Sequence, residues 1–580
     1  MLFTSGPRDV QAEPIAGDAA RAEDIAEAMD GAWTGRSAGA CKESGGSHDG
    51  DGPAGGGFGY LLAPAAAPRP DPEAPRRLDA LAVAMAEVEC AQDEAMSDLP
   101  LAMQQLLRFV ANDLAAPAWR TQQAGLDADA AAAPLPRETV ETQLANLKSG
   151  GLRLESLYDC DLLPGPLGDK LRRLMREPGA NARLRLDRAW PDGRRGAALP
   201  RDRGADLLRL GRLIGDDPDA CVTEAELSAL PPALRARVMQ GEAPNRALAV
   251  TGEGRNDKSL PQSQFHVALI RVHNRAVDLL ADEAGRAPES LFDDSRRLLR
   301  LHLQWLVLHR LLPRICDPVA LGRVRRACAP IYAEFRADLA GAAVPGGPLP
   351  APLEFVFAAG RLHATMIPGA CELNAVHGAP GGAPAPLALM ARPPAGLGRP
   401  ERLPDSLVLD WARWTRPDGP GRARCIDTFL APTGDADAAP AMLGFARAAL
   451  RRGWALSLPS GQSAAAAVNA VYEDLVRPLR EAELTAGHTG EAVRDGLAEE
   501  TPLWFYLLKE AEVQHGGRRL GQLGSVLVAE TLIGAMVQDR DSVWHARGRS
   551  GGPWSPDQGL TLPGGPIEDL HDLMRAAELV

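Results

Sequence analysis

Aromatic residues are scarce in this chain, at 4% of 580, yet 45% of its residues are hydrophobic, which is ample for a sizeable core. No apolar run reaches about 18 residues, so no membrane-spanning helix is predicted. The opening MLFTSGPRDVQAEP has neither the basic start nor the apolar middle of a secretion signal, and the expected compartment is the cytoplasm. There is no CxxC pair. Cys41, Cys90, Cys160, Cys221, Cys316, Cys328, Cys371 and Cys425 stand singly, which argues against a zinc site or a disulfide framework and for reduced thiols. Basic charge is in deficit: 63 Lys and Arg against 76 Asp and Glu leave a net charge of -13. Nonspecific binding to nucleic acid or to an anionic membrane needs the opposite balance. Neither an internal repeat nor a Gly-rich phosphate loop is apparent.

What the chain does have is helical periodicity. Residues 1–75 are expected to be a low-complexity, disordered segment. SGGSHDGDGPAGGGFG and APAAAPRPDPEAP combine Gly-rich flexibility with Pro-rich stiffness and have nothing to bury, and His48 within them is expected to be solvated. From residue 76 to 580 we expect one large, mainly α domain. Leu78, Leu81, Met85 and Val88 begin an amphipathic stretch, and LAMQQLLRFVANDL, Leu101 to Leu114, continues the habit. The most regular stretch is GEGRNDKSLPQSQFHVALIRVHNRAVDLL, from Gly252 to Leu280. Phe265, Ala268, Leu269, Val272, Ala276, Leu279 and Leu280 share one helical face. His266, Arg271, His273, Asn274 and Arg275 interleave with that face, and so many hydrogen-bonding groups on so apolar a helix imply partners elsewhere. Arg255 stands at the helix start, where its five-donor fork could meet an anion or a reacting oxygen.

This run resembles the motif GDPRNDENLxxSQLHLxFLRFHNRVVD of the animal-type haem peroxidase family, in particular its bacterial branch. The resemblance implies a large helical haem-peroxidase-like fold, and it places Arg255 on the distal catalytic arginine. Lys258 falls where some members carry a Glu that is ester-linked to haem. SRRLLRLHLQWLVLHRLLPRIC, Ser295 to Cys316, resembles another block and is expected to be a helix ended by Pro313. Its His302 and His309 are seven apart rather than four and read as core histidines. The blocks from Leu443 to Gln462 and from Thr501 to Asp539 resemble the closing helices. The stretch from Leu163 to Val250 reads as surface excursions.

The chemistry-bearing positions depart from the family. Its GQFxDHDLT, laid on Leu107 to Leu114, puts Arg108 on the Gln and Asn112 on the distal His. An amide has no basic lone pair near neutral pH, and a lost general base commonly costs about 100-fold to 10,000-fold in rate. GLRLESLY, Gly151 to Tyr158, resembles the calcium-site block LDLDSLYG, but Arg153 stands where an Asp ligand belongs. A guanidinium repels calcium, so calcium is not expected, and Arg153 is expected to pair with Asp113 instead.

PLEFVFAAGRLHATMIPGACELN, Pro352 to Asn374, resembles EFSxAAYRFGHSMVRPSYxLN, which carries the proximal iron ligand. Ungapped, the alignment keeps Arg361 in register, sets Ala364 on the ligand and shifts His363 by one residue, about 100 degrees around an α-helix. A deletion before His363 balanced by an insertion near Pro368 and Gly369 would restore it. Ala449 replaces the Asn that orients the ligand.

Two readings follow from the resemblance. In the first the chain is a non-catalytic pseudoperoxidase without cofactor or metal, a binding or partner subunit for another protein or for an active paralogue. Retained without haem, Arg255 would pair with an acid such as Asp257 or Glu354. In the second it is a haem-dependent peroxidase or oxygenase, with His363 as a shifted proximal ligand and Arg255, Arg108 and Asn112 in the distal pocket. The cofactor-contacting candidates are then His363, Arg361, Ala364, Ala449 and Lys258.

Overall fold

The regular apolar spacings fold as helices in a computed structural model of the chain, which describes residues 57–63, 71–87, 95–120, 133–159, 163, 165–193, 204–214, 221–282, 288–340, 347–379, 382–394, 397, 402–430, 439–560 and 564–580. The elements that position the site are β1 (Phe58–Gly59), α1 (Ala74–Ala86), β2 (Met96–Pro100), α2 (Leu101–Leu114), α3 (Leu260–Ala281), α4 (Pro288–Leu306), β3 (Ala351–Pro352), β4 (Arg422–Arg424), α5 (Ala439–Ala455), α6 (Leu503–His515) and α7 (Gln522–Gln538). Among the described residues β-structure is limited to two-stranded pairings, such as β1 with β3 and β2 with β4. No helix among them is long and apolar enough to cross a membrane.

Three helices show why the chain folds this way. α3 opens with Pro261 in its first turn, where a missing N–H costs nothing, and buries the face predicted from its spacing. α7, QLGSVLVAETLIGAMVQ, is apolar almost all round and therefore interior: it is buried from Leu523 to Met536. It packs on α6, on helices Pro318–Ala327 and Pro330–Ala340, and on the 3-10 segment Ala359–Ala364. Gly534 permits the approach to Pro330–Ala340, since a Cβ there would collide with the Tyr332 ring. α2 is also interior, but Gln104, Gln105, Arg108, Asn112 and Asp113 are buried along with its apolar residues.

Several expectations change. The packed domain begins before residue 75. β1 pairs in parallel with β3, the Tyr60 hydroxyl donates to Leu456 O at 2.6 Å, and the buried Glu354 carboxylate accepts from Leu61 N and Leu62 N at 2.8 and 3.1 Å. FGYLL supplies enough apolar surface to dock despite its Gly/Pro-rich flanks. His48 lies outside the described residues, as do Cys41, Cys90 and Cys160. Cys316, Cys328 and Cys425 are free thiols.

The stretch from Leu163 to Val250 is likewise more than surface. It builds a second small core from Leu163, Leu171, Leu210, Ile214, Leu227 and Val250, among others. Buried Arg209 grips Asp206 at 2.7 Å and reaches Asp257, tying this unit to the start of α3. Nor does Pro313 end its helix. A π-helical turn at Val307–Leu311 follows α4, and Pro313 then falls in the first turn of Leu312–Ile315. His302 is a core residue whose Nε2 accepts from Leu560 N at 3.2 Å, and His309 stacks on Trp305.

Glu530, in the middle of α7, accepts from Tyr332 N at 2.9 Å and from the Tyr472 hydroxyl; burial pushes its carboxyl up to about 7. Its folded value lies above its unfolded one, so the stabilising proton is fully present below pH 4.5 and is lost as pH rises through 7. In urea unfolding, the wild type should lose about 3 kcal/mol relative to Glu530→Gln between acidic and mildly alkaline pH, because each tenfold difference in proton affinity between the folded and unfolded chain is worth about 1.4 kcal/mol. A pH-independent difference would show that the carboxyl is not buried as described.

Candidate functional site

The candidate site lies where α2 crosses the start of α3 and the segment Ala359–Ala364. α2 supplies Arg108 and Asn112 one turn apart. Arg108 is fully buried and donates from Nη1 to Ser259 Oγ at 2.8 Å. Asn112 Nδ2 donates to Asn256 Oδ1 at 2.9 Å, and Gln262 Nε2 approaches the same oxygen at 3.4 Å. Asn256 Nδ2 in turn donates to His266 Nδ1 at 3.2 Å. That bond leaves the His266 proton on Nε2, from which it is given to Thr251 Oγ1 at 3.2 Å, and Thr251 donates to Ser156 O at 3.4 Å. Burial pushes His266 down to about 3, so the ring is neutral. The chain of bonds thus runs from the Asn112 amide into backbone, and the imidazole's basic nitrogen is engaged within it.

Arg255 stands in the 3-10 turn Gly254–Asp257. Its Nε and Nη2 lie 2.8 and 2.7 Å from the two oxygens of Glu253, and Nη2 also donates to Asn112 O and Ala115 O at 2.9 and 2.6 Å. Lys148 stands 3.7 Å from the same carboxylate and donates to Gly252 O at 2.6 Å. Burial favours the neutral Glu253, but the charges and hydrogen bonds of Arg255, with Lys148 behind them, hold its carboxyl well below the usual range. The acid that pairs with Arg255 is therefore Glu253, not Asp257 or Glu354. Asp257 is taken by Arg209 and Ser263, and Glu354 caps the backbone after β1. Lys258 ends the turn through its backbone N–H, 3.3 Å from Arg255 O.

The expected Asp113–Arg153 pair is not formed. Asp113 accepts from Leu154 N and Ser156 N, both at 2.8 Å, while Arg153 reaches Asp539 at 3.2 Å. Burial and nearby Glu155 push the Asp113 carboxyl up to about 6. Glu155 is used by the backbone N–H of Ser149 at 3.0 Å. Among the described residues no group of three or more His, Cys, Asp and Glu is arranged to hold a metal ion.

On the opposite side, helix Leu353–Phe357 breaks at Ala358, with φ -133° and ψ -75°, and resumes as the 3-10 turn Ala359–Ala364. A step of about 100 degrees from Ala364 to His363 presumes a continuous α-helix, so it does not describe this segment. The His363 ring is 8% exposed, and its Nδ1 donates to Gly360 O at 2.7 Å, which leaves the lone pair on Nε2. Burial first, then Arg108, with Arg361 and Arg255 beyond, push it down to about 3. Gln104 Nε2 of α2 donates to the His363 carbonyl at 2.8 Å, so α2 and this segment are in direct contact. Arg361 lies over the Phe357 ring at 5.7 Å, and Ala364 is buried. Ala449 lies apart from this cluster, on α5, in the wall of a separate cleft. A cavity of about 350 Å³ beside α2 is lined by Gln105, Arg108, Ser259, Ile367, Met390 and Trp414.

The structure thus brings together Arg108, Asn112, Arg255 and His363. Sequence reasoning did not find Gln104, Lys148, Glu253, Asn256 and Ser259. Only His266 left a signal, as a polar residue on an apolar helix.

No protein-family model matches the chain, and no curated protein is significantly similar to it. Among solved structures it is similar to peroxidase A from Dictyostelium discoideum, at 14% identity over 84% of this chain and 88% of that one, with a TM-score of 0.49. It is also similar to the fatty acid alpha-dioxygenases of Oryza sativa, at 11% identity over 82% and 74% with a TM-score of 0.45, and of Arabidopsis thaliana, at 13% over 82% and 72% with a TM-score of 0.45. These neighbours have the animal-type haem peroxidase fold, and the likeness is one of fold alone.

Asn256 satisfies Asn112, Gln262 and His266 together. Asn256→Ala should destabilise the protein by about 2 to 5 kcal/mol, since each buried group left unmade costs about 1–3. Urea denaturation checks this, and an unchanged midpoint would show that the network carries no energy.

Proposed function

We propose that the chain is a haem-peroxidase-like protein with a degenerate active site, a non-catalytic binding or partner subunit that acts in the cytoplasm without haem or calcium. The observation that carries this reading is the direct bond from Gln104 on α2 to the His363 carbonyl. A macrocycle held by His363 has to lie between that segment and the distal residues of α2, and these two elements are packed on each other. The residues present do not fit haem in two further respects. The distal position holds an amide that is already engaged with Asn256 and has no basic lone pair. The positive charges of Arg108, Arg361 and Arg255 act on the His363 ring and oppose a cationic metal, and Ala449 cannot orient it.

The surviving arginine supports the same reading. Arg255 is bonded to Glu253 and to two carbonyls at the end of α2, which makes it the joint between α2 and α3. Its place in the chain needs no substrate to account for it. A paralogue or another protein is the proposed partner.

One observation favours the second reading. His363 donates from Nδ1 to a backbone carbonyl and keeps the Nε2 lone pair, the arrangement in which histidine binds metals. Absorption spectroscopy of protein expressed with haem supplied separates the two. The expected result is no stoichiometric Soret band and no peroxide-dependent oxidation of a reducing dye. A stoichiometric band that disappears in His363→Ala and persists in His302→Ala would overturn the proposal.

A further inference from the structure

We infer that Arg176 and Arg296 form a surface binding site for a phosphate monoester dianion. The site shares no residue with the Arg255 and His363 cluster, and its occupancy does not depend on whether haem binds. Its floor is aromatic. Tyr158, His273 of α3 and Phe292 of α4 meet edge to face, with ring centroids 5.3 to 5.5 Å apart. His273 Nε2 donates to Ala182 O at 2.9 Å, so its Nδ1 accepts from the Tyr158 hydroxyl at 3.0 Å and the ring is fixed. Burial pushes His273 down to about 4, and the floor itself is therefore uncharged at neutral pH.

Two guanidiniums cover that floor. Arg176 Cζ stands 3.6 Å over the Phe292 ring, and Arg296 Cζ stands 5.1 Å over the Tyr158 ring. Arg176 is delivered by a hairpin of Arg176–Glu177 with Ala180–Leu184, and the second of these strands packs on α3 and α4. The turn between them, Pro178 and Gly179, takes Gly179 to φ +77°, which suits glycine. Arg296 follows Phe292 by four residues and so lies on the same face of α4. Both side chains are half-buried. Stacking holds a guanidinium by its flat face and leaves the N–H groups in its plane for hydrogen bonds.

Charge selects the occupant. Neighbouring Arg183 is held by Glu177 at 2.9 Å and by Asp278, and Arg300 feels Asp539 and Asp541 and donates to Asp541 O at 2.9 Å. Arg176 and Arg296 have no carboxylate within 4.0 Å among the described residues. Arg176 donates to Asn181 O at 3.1 Å, and Asp293 acts on it only from beyond ion-pair contact. Burial first, and then repulsion from Arg296, lower the Arg176 pKa against the pull of Asp293. In a chain with a net charge of -13, two neighbouring cations without contact countercharge favour an anion. A dianion with three acceptor oxygens matches two forks of N–H donors, where a carboxylate brings one charge and two oxygens.

The test is phosphorus NMR titration of the full chain with methyl phosphate and with a short phosphoserine peptide, well above the second phosphate pKa of about 6. Both probes should saturate a single site, and acetate should compete about tenfold less well than methyl phosphate. Arg176→Gln and Arg296→Gln should each weaken binding about tenfold, because each removes one charged donor group. Arg480→Gln, at a side chain 77% exposed elsewhere on the surface, should leave binding unchanged. Urea midpoints establish that each variant is folded. Methyl phosphate bound at least as tightly as the peptide assigns the site to free phosphate esters, tighter binding of the peptide assigns it to a phosphorylated side chain, and either result supports the inference. It is overturned if neither probe saturates, if acetate competes as well as methyl phosphate, if either folded arginine variant of the pair binds like the wild type, or if Arg480→Gln weakens binding as much as they do.

Discussion

A helix enclosed on every side cannot leave its polar side chains without partners, and α2 carries five of them into the interior. That constraint organises the middle of the molecule. Asp113 turns the following loop back through Leu154 N and Ser156 N, and Asn112 draws the start of α3 in through Asn256. Arg108 fixes Ser259 immediately before α3, and Gln104 holds the 3-10 segment through the His363 carbonyl. Three separate parts of the chain are therefore placed by one helix. Because an unmade buried hydrogen bond costs about 1–3 kcal/mol, each of these contacts matters more by its absence than by its presence.

The same atoms are already engaged by protein groups. A general base has to present a lone pair to a substrate, and a distal arginine has to direct donors at a reacting oxygen. Here the corresponding groups face protein. Arg255 spends its donors on Glu253 and on the last carbonyls of α2, which also suits a cation at a helix C-terminus. Removing one member of a buried pair commonly costs about 3–5 kcal/mol, so this arginine stabilises the junction between α2 and the turn before α3.

The fold was legible in the sequence because its helices repeat their apolar residues regularly. Leu101 to Leu114 and the buried face of α3 emerge from spacing alone. Partners across the fold did not. Glu253 lies two residues from Arg255, yet Asp257 is equally close in sequence, and only the path of the 3-10 turn decides between them. Asp113 and Arg153 carry opposite charges and nearby places, but backbone N–H groups reach the carboxylate first. The core around Leu210 and Ile214 was hidden by short elements among Arg and Gly, too brief for periodicity to register. FGYLL was concealed by its flanks in the same way, since composition averaged over a long window hides five residues that dock.

The break beside His363 shows how one residue can alter a site without disturbing its scaffold. Gly360 stands where the resembling motif has Tyr, and a Cβ there would meet Phe355 O at 2.8 Å and the Phe355 ring at 3.1 Å. The chain can fold that tightly against Phe355 only with glycine, and the tight path coincides with the passage from α-helix to 3-10 turn. Each residue of a 3-10 turn advances about 120 degrees rather than 100, and it rises further along the axis. Over the few residues from the break to His363 those differences redirect the ring, whichever way a gap is placed in an alignment. The ring's Nδ1 bond to Gly360 O, three residues back, then fixes its orientation within the same turn. The backbone that carries His363 is thus a 3-10 turn, and its carbonyl is bound by Gln104 of α2.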